Sequence, residues 1–445
     1  MPLNAAHNAR IDDETTMLIS RRVSLHLATP PLRRLEPEPN TVSFENSCSK
    51  LPSEILKTLS NSETHDFTKE PLLTNYNRCR LMTRTRRQET CVPIKLYQHV
   101  TRVLWPYVLG NGSPISYLFE SIAPHFDEDL ELHSLAQKDA ELPDAVSRLT
   151  LSGNQRRWKL LQYVRFSLSQ ADLIHTGARE RVHRRVSQLS KLRNRNIAHV
   201  HTFRVDVDPD GKFDTSALAK LAQQADTVTA VSEHTAETVR EHIGTDPEVI
   251  YNGVDTEWFH PNYDHPTLFN DCGLNEPVFL YVGSMEQRKR PDHILAAAEA
   301  TPEGSFLLIG DGPMLNYLRE RASDLDNVLL PGRITKDRLP AIYANARALI
   351  FPTVREGCPN VVLESMAAGT PVIGYRATSM PELVDHGKTG LLAPTGEIDS
   401  LIENITKLAK KEGSGLGSCA RSYVRKHHKF ETIADDYESL YRATL

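Results

Sequence analysis

Short apolar runs alternate with longer amphipathic stretches from Val92 to the end of the chain. Runs such as ADLIHTG, NIAHVHTF and DTVTAVS end in small or polar residues, and helix-length stretches separate them. A second series begins near Pro277 with PVFLYVGS and continues through SFLLIGDGP, NVLLPG, RALIFPT and PVIGY. Continuous apolar runs between helices are typical of parallel sheets covered on both faces. The pattern therefore predicts an α/β protein with two consecutive Rossmann-like halves.

The first strand of the earlier half is predicted at IKLYQHV, residues 94–100, followed by a glycine loop, GNGSP, and a helix that begins ISYLFESI. Asn-Gly and Pro within IYNGVDTEWFHP, residues 250–261, mark the join between the halves. The amphipathic end, ETIADDYESLYRATL, is predicted to form a helix. The sequence has no run of about 18 apolar residues, so we expect no membrane-spanning helix.

The first 92 residues differ from the rest because they are rich in Pro, Ser, Asn and Thr and show no sustained periodicity. Such a composition buries too little apolar surface to order a chain. Met82 stands just ahead of the first predicted strand, which suggests that residues 1–81 are a dispensable tail or a segment that is not normally translated. A chain starting at Met82 that fails to fold or act would contradict this hypothesis.

We therefore divide the chain into four parts. These are a disordered or non-native extension (1–92), an N-terminal Rossmann-like acceptor-side domain (93–255), a C-terminal Rossmann-like domain that binds the donor (256–428) and a C-terminal helix (429–445) that packs back on the N-terminal domain.

Composition narrows the class of protein. Of 445 residues, 40% are hydrophobic and the net charge is −5, which supports real cores and argues against a dedicated nucleic-acid binder. The six cysteines are scattered without a C-x-x-C pair. We therefore expect reduced thiols in a cytosolic protein, with neither a disulfide framework nor a zinc site.

The stretch REGCPNVVLESMAAGTPVI, residues 355–373, carries the candidate chemistry. Pro359 suits the first turn of a helix and Gly369 suits its end, so a helix N-terminus follows the strand RALIFPT. Such an N-terminus at the carboxyl edge of a sheet binds anions, phosphate above all. Glu364 lies roughly 7–8 Å along the helix and can bind a ribose diol, whereas Glu356 lies on the other side of the anion site. A ligand with hydroxyls, a diphosphate and a ribose in that order is a nucleotide-sugar.

This stretch resembles the E-x7-E segment of the retaining family-4 glycosyltransferases, which have the GT-B fold of two facing Rossmann-like domains with a donor cleft between them. VIYNGVDTEWFHP, YVGSMEQRKRPDHILAA, IGDGPMLNYL, LLPGRI and SMPELVDHGKTGLLAP resemble further motifs of that family in the same order. The resemblance is dense through the C-terminal half and looser over residues 93–250.

The resemblance implies roles for individual residues. Glu356 contacts hydroxyls of the donor sugar, Glu364 binds the ribose, and Lys289 neutralises the leaving diphosphate. The resemblance gives catalytic positions to His201, Lys289 and Glu356, and donor-binding positions to Gly110, Gly112, Arg288, Arg333, Ile334, Gly357, Pro359, Asn360, Val361 and Glu364. The chain departs from the family in two places. Ser284 stands where the family has Arg, and Arg288 or Arg290 could supply the missing cation. GNG stands where the family has Gly-Gly.

The implied mechanism is a front-side transfer with retention of configuration. The bond from C1 to the diphosphate breaks, the leaving phosphate oxygen takes the proton of the acceptor, and Glu356 positions the sugar. Fixed cations and helix N–H groups stabilise the growing negative charge. Because those cations supply the charge, we expect no cofactor and no metal.

The expected activity is transfer of a hexose from a nucleoside-diphosphate sugar, with UDP or GDP as the nucleotide, to a hydroxyl of a glycan or lipid-linked acceptor. The pathway would be assembly of surface polysaccharide or glycoprotein glycans, in the cytoplasm or on the inner face of the cell membrane. A sugar-nucleotide epimerase of the same fold and a catalytically silent scaffold that binds sugar-nucleotides remain as alternatives.

Three further segments have sequences that suggest a metal-binding or lipid-binding role. DVDPDG, residues 206–211, imitates a metal loop, but Ala217 stands where a calcium loop needs Glu, so we interpret it as a solvated turn. The basic stretches 154–166 and 179–195 could rest on anionic lipid or form ordinary charged helix faces.

Overall fold

The computed structural model describes residues 101–109, 114–136, 144, 146–150, 171–177, 197–208, 214–263 and 268–445. The predicted strand at 94–100, the loop that contains Gly110 and Gly112, and the basic stretches at 154–166 and 179–195 lie outside these residues.

The first sheet is fully parallel and has seven strands. They are β1 (Thr101–Leu109), β2 (Leu130–Ala136), β3 (Val146–Thr150), β4 (Leu173–Gly177), β5 (Ala198–Phe203), β6 (Thr227–Ala230) and β7 (Glu248–Val249). Their order is β3-β2-β1-β4-β5-β6-β7, so the order reverses between β1 and β4. This is the doubly wound arrangement of a Rossmann-like fold.

The second sheet repeats the arrangement with six parallel strands. They are β8 (Val278–Val282), β9 (Ser305–Ile309), β10 (Val328–Gly332), β11 (Ala348–Phe351), β12 (Val372–Tyr375) and β13 (Gly390–Ala393). The order β10-β9-β8-β11-β12-β13 reverses between β8 and β11. All residues of β8, β9, β11 and β12 are buried, because helices cover both faces of the sheet. The predicted class, two Rossmann-like α/β halves typical of GT-B proteins, is confirmed.

Eleven α-helices connect the described strands or close the chain. They are α1 (Pro114–Ile122), α2 (Thr215–Ala222), α3 (Glu233–Ile243), α4 (Pro291–Ala300), α5 (Leu315–Arg321), α6 (Leu339–Asn345), α7 (Asn360–Ala367), α8 (Met380–Leu383), α9 (Ile398–Ala409), α10 (Leu416–His427) and α11 (Phe430–Thr444). None of the described helices is long and apolar enough to cross a lipid bilayer.

The first described strand begins later than the sequence pattern predicts. The sequence pattern places a strand at residues 94–100 and a loop after it, whereas β1 spans Thr101–Leu109. Its register against β2 shifts between Trp105 and Val108, and this irregularity accommodates Pro106, which has no N–H to donate. Sequence reasoning also missed β2, β3, β7 and β13, which are short or lie towards sheet edges where polar residues are tolerated.

The C-terminal helix packs against the first sheet. Phe430, Ile433, Tyr437 and Tyr441 of α11 are buried with residues of α1, β1 and β4 in one apolar cluster. The Tyr441 hydroxyl also lies 2.7 Å from Nδ1 of His175, which is fully buried on β4. The chain therefore crosses from the second sheet back to the first before it ends.

We predict that Ile433→Ala lowers the free energy of unfolding by about 2–5 kcal/mol, because it removes a buried side chain and leaves a cavity between α11 and the first sheet. Chemical denaturation followed by circular dichroism measures the change. Ser439→Ala, at an exposed position of the same helix, is the matched control. An equal effect of both substitutions would contradict the packing role of α11.

Candidate functional site

The loops after β8 and β11 meet where the strand order of the second sheet reverses. β8 and β11 are hydrogen-bonded neighbours, although β9 and β10 lie between them in sequence. The N–H of Val354 donates to the carbonyl of Arg288 over 2.9 Å and ties the two loops together. In open α/β sheets, ligands bind in the crevice at such a switch point. The topology therefore brings Arg288, Lys289 and Glu356 to the edge where a ligand is expected.

The Glu356 carboxylate lies between two cations. Its Oε1 is 2.6 Å from Nη1 of Arg288 and 3.0 Å from Nζ of Lys289. The side chains of Glu356 and Lys289 are only 17% and 12% exposed, so solvent screens this cluster less than a surface pair. Thr378 and Ser379 hold the backbone: the N–H of Glu356 donates to Oγ1 of Thr378, and Oγ of Ser379 donates to the Glu356 carbonyl. The carboxylate is thus fixed in position by both its side chain and its backbone.

Helix α7 starts directly after this cluster. Pro359 is its N-cap residue with extended backbone angles, and no side chain caps the helix. Pro359 therefore precedes the first turn, one residue earlier than the sequence pattern suggests. The first N–H groups of a helix have no partners within the helix, so Asn360 and Val361 present donors to the crevice. Gly369 ends the helix as predicted, with φ of +78°.

Glu364 lies on α7 and is 7% exposed. The hydroxyl of Tyr343, a fully buried residue of α6, donates to its Oε2 over 3.0 Å. Burial raises the pKa of Glu364, while the nearby Lys336 and the Tyr343 hydroxyl oppose that rise. A carboxylate held by one donor retains acceptor capacity for further hydroxyl groups. The geometry is compatible with the predicted ribose contact, which stays a prediction.

Lys336 spans from the second half of the chain to the first. It lies in a short 3₁₀ turn before α6, and its Nζ is 2.8 Å from the centroid of the Tyr117 ring on α1. Burial lowers the pKa of Lys336 to about 8, against the attraction of Glu364. Sequence reasoning missed this residue, which stands two positions after the predicted Ile334 without any motif to mark it.

Arg333 and Ile334 follow β10 at the far edge of the second sheet. The Arg333 side chain is 82% exposed, with its Nε 3.7 Å from Asp311 in the loop after β9. Ile334 is partly buried against the core of the second sheet. Their predicted contact with the base stays a prediction, and Gly110 and Gly112 lie outside the described residues.

His201 lies inside the first sheet. It is 0% exposed on β5, its Nδ1 is 2.9 Å from Oγ1 of Thr176, and its ring packs edge-on against Phe203. The structure therefore brings Glu356, Lys289 and Arg288 together and places His201 within the sheet behind the loops. A catalytic role for His201 stays a prediction that this geometry does not favour.

Gly357 allows the two halves to approach each other. A Cβ atom at this position would lie 2.5 Å from the carbonyl oxygen of Arg204, which follows β5 of the first sheet. Asn252, in the link between the sheets, donates through its Nδ2 to the Cys358 carbonyl over 2.8 Å and to Oδ1 of Asn360 over 2.9 Å. Only a glycine fits the first contact. The sequence marks Asn252 as part of a turn and not as a residue that supports the site.

Glu382 of α8 makes a second contact between the halves. Its two carboxylate oxygens accept hydrogen bonds from the backbone N–H groups of Glu233 and His234, in the first turn of α3, and from the Tyr251 hydroxyl. A carboxylate at a helix N-terminus satisfies orphan donors and interacts favourably with the helix dipole. The motif SMPELVDHGKTG contains Glu382, but only the tertiary structure shows which helix it caps.

The prediction of a solvated turn is wrong for Asp206. This residue is 9% exposed, and its Oδ1 accepts a hydrogen bond from Oγ1 of Thr235 over 2.9 Å. Burial raises the pKa of Asp206. The acidic DVDPDG sequence suggested a solvated turn. Burial of Asp206 against Thr235 of α3 arises only in the folded chain. Residues 209–211 of the segment lie outside the described residues.

One group of carboxylates in the described part of the chain has spacing suited to a metal ion. It comprises Asp127, Asp129 and Glu438, and Arg442 forms ion pairs with all three. The cluster lies where β2 begins, at the amino edge of the first sheet, which is opposite to the edge where ligands bind. The Arg442 guanidinium offsets part of the negative charge of the three carboxylates.

Two family models match the chain. One, described as Glycosyl transferases group 1, covers residues 276–411, and the other, Glycosyltransferase Family 4, covers residues 120–258. The chain is 29% identical over 235 residues to an N-acetyl-alpha-D-glucosaminyl L-malate synthase of Bacillus anthracis, covering 50% of this chain and 61% of that protein. It is 28% identical over 239 residues to a GDP-mannose-dependent alpha-(1-6)-phosphatidylinositol monomannoside mannosyltransferase of Mycobacterium tuberculosis, covering 49% of this chain and 62% of the relative. The chain thus spans about three fifths of each relative.

Solved structures share the architecture at low identity. Sucrose-phosphate synthase from Thermosynechococcus elongatus superposes with a TM-score of 0.64 at 21% identity, covering 77% of this chain and 98% of that one. Anabaena Alr3699/HepE, in complex with UDP and glucose, gives 0.63 at 19% identity, with 77% and 100% covered. These likenesses establish the fold.

We predict that Lys336 makes stability rise with pH between about 8 and 10.5. Folding lowers the pKa of this lysine, so in that window the unfolded chain binds more protons at this position than the folded chain does, and deprotonation favours folding. The pH dependence of the denaturation midpoint should therefore be shallower in Lys336→Met than in the wild type. Lys388→Met removes an exposed lysine whose pKa is raised by Asp385, and this control should retain the wild-type rise.

Proposed function

The chain is a GT-B protein of the group-1 and family-4 glycosyltransferases, and from that premise we propose that it transfers a sugar from a nucleoside-diphosphate sugar to a hydroxyl group with retention of configuration. One observation carries the proposal. Glu356 lies between Arg288 and Lys289 at the switch point of the second sheet, directly before the uncapped N-terminus of α7, and Glu364 lies further along the same helix. Sugar, diphosphate and ribose of a donor would meet these features in order.

The cations and the helix start serve the leaving group. Negative charge grows on the diphosphate as its bond to C1 breaks, and preorganised cations and N–H dipoles stabilise that charge. The Nζ of Lys289 lies 3.0 Å from the Glu356 carboxylate, beside the start of α7. We propose that Lys289 contacts the diphosphate when the donor binds, together with Arg288 and the N–H groups of Asn360 and Val361. The leaving phosphate oxygen then accepts the acceptor's proton as the new C1–O bond forms.

Glu356 would position the donor sugar. Its Oε1 already has two cationic partners, Arg288 and Lys289, which hold the carboxylate in place. A carboxylate accepts hydrogen bonds from sugar hydroxyls. We propose that no metal takes part, because the charge of the leaving group is balanced by side chains and helix N–H groups.

The proposed acceptor is a glycan or a lipid-linked hydroxyl, in assembly of surface polysaccharide or glycoprotein glycans. The relatives support a broad range of acceptors: one is a phosphatidylinositol monomannoside mannosyltransferase, one an N-acetyl-alpha-D-glucosaminyl L-malate synthase and one a sulfoquinovosyl transferase of Arabidopsis thaliana. UDP and GDP are both supported as the donor nucleotide, by the HepE complex and by the GDP-mannose-dependent relative respectively.

Membrane association at the inner face of a cell membrane is a further part of the proposal. It rests on the basic stretches at 154–166 and 179–195, which lie outside the described residues. Salt-sensitive sedimentation with anionic liposomes is expected, and its absence would contradict this part alone.

A sugar-nucleotide epimerase and a silent scaffold remain the alternatives. A panel of UDP- and GDP-sugars, scored for nucleoside diphosphate release with and without lipid-phosphate acceptors, separates them. A transferase releases the nucleoside diphosphate only when both its donor and its acceptor are present. An epimerase interconverts the sugars of the donors without an acceptor, and a scaffold binds a sugar-nucleotide without turnover. Failure of the folded wild type to turn over any donor would overturn the transferase proposal.

We predict that the two glutamates affect different steps. Glu364→Ala should weaken binding of the nucleoside diphosphate about tenfold or more, because it removes the proposed ribose partner. Glu356→Ala should lower turnover about 100-fold while nucleoside diphosphate binding changes little, because it removes a contact to the sugar. Calorimetry with the nucleoside diphosphate and single-turnover kinetics with the donor measure the two effects.

Glu397→Ala, an exposed carboxylate at the start of α9, is the control for both glutamates. Equal losses of binding and of turnover in the two variants would contradict the proposed order of sugar, diphosphate and ribose along the site.

A further inference from the structure

Arg204 is a half-buried cation whose guanidinium is largely shielded from solvent. It directly follows β5, its Nε and Nη2 are buried, and neither has a hydrogen-bond partner in the structure. Its Nη1 donates to Oδ1 of Asn252 over 3.3 Å, and its Cζ is 5.4 Å from the centroid of the Phe119 ring on α1. Arg204 forms none of the ion pairs found among the described residues. A guanidinium has five N–H groups in a rigid fork, and leaving two nitrogens buried without acceptors is costly.

The guanidinium lies beside the start of α7. Asn252, which accepts from Arg204, donates in turn to the Cys358 carbonyl and to Oδ1 of Asn360. The Arg204 carbonyl also contacts the position of Gly357 so closely that a Cβ atom there would lie 2.5 Å away. The backbone of Arg204 therefore contacts Gly357 directly, and its side chain is linked to Cys358 and Asn360 through Asn252, although Arg204 follows a strand of the other sheet.

Two independent features thus point to an anion at one place. The uncapped N-terminus of α7 offers N–H donors from the second half of the chain, and the buried fork of Arg204 offers N–H donors and a positive charge from the first half. Planar guanidinium groups bind phosphate oxygens in pairs, and burial strengthens that interaction. An anion bound between them would satisfy the two nitrogens that the protein leaves unpaired.

We propose that Arg204 binds the diphosphate of the donor from the first half of the chain, through Nε and Nη2. This inference rests on the proposed function and adds a residue that no motif in the sequence marks. It also couples donor binding to the contact between the halves, because the same side chain holds Asn252 in the link between the two sheets.

The test compares ligands that differ in their phosphates. Wild type, Arg204→Gln and Arg204→Lys are titrated by calorimetry with UDP and GDP, with the matching monophosphates and with uridine and guanosine. Arg204→Gln should weaken binding of the nucleoside diphosphate about 10- to 100-fold and leave nucleoside binding within about twofold. Arg204→Lys keeps the charge but loses the forked guanidinium, so its affinity for the nucleoside diphosphate should lie between those of wild type and Arg204→Gln. It serves as the test variant if Arg204→Gln does not fold. Arg240→Gln, on the exposed face of α3, removes the same charge and should behave as wild type.

Unchanged diphosphate binding in Arg204→Gln would overturn the assignment. An equal loss of affinity for the diphosphate and for the nucleoside would also overturn it, because that result indicates a purely structural role. Failure of the wild type to bind either nucleoside diphosphate would overturn both this inference and the proposed function. Selective loss of diphosphate binding in a protein that turns over no donor would support Arg204 and overturn the transferase alone.

Discussion

The carboxylate of Glu356 between Lys289 and Arg288 is the interaction on which the site depends. The two cations lie in the loop after β8 and the carboxylate lies in the loop after β11, so the ion pairs join two segments that are distant in sequence. Removing one partner of such a half-buried cluster leaves a charge without compensation, which is more costly than loss of a surface ion pair. The cluster therefore joins the loops after β8 and β11 at the sheet edge where the donor is proposed to bind.

Contacts between the two halves constrain the same place. Gly357 meets the Arg204 carbonyl, Asn252 holds Cys358 and Asn360, and Glu382 caps α3. These are polar, geometrically specific contacts rather than an extended apolar interface. A donor bound between Arg204 and α7, as proposed, would contact both halves at this place.

Local patterns were sufficient for the part of the site that lies in continuous segments. Glu356, the helix start at Pro359 and Glu364 are within one stretch, whereas Lys289 was assigned through the family resemblance. The same reasoning did not predict β1 at Thr101–Leu109, where the register against β2 shifts between Trp105 and Val108. It also read Asp206 as solvated, because burial by α3 is a property of the folded chain. His201 was assigned through the family resemblance, and only the structure shows that it is fully buried on β5.

The sequence by itself determined the two parallel sheets, the order of the motifs and the spacing of Glu356 and Glu364. These features depend on periodicity and on the placement of glycine and proline, which act over a few residues. Only the tertiary structure decided which partners the charged side chains contact. Arg204 contacts Asn252, Lys336 lies over the Tyr117 ring, and Glu382 caps the N-terminus of α3. Each of these joins residues far apart in the chain. Electrostatic and packing energies depend on distance and burial in space, and neither quantity can be read from spacing along the sequence.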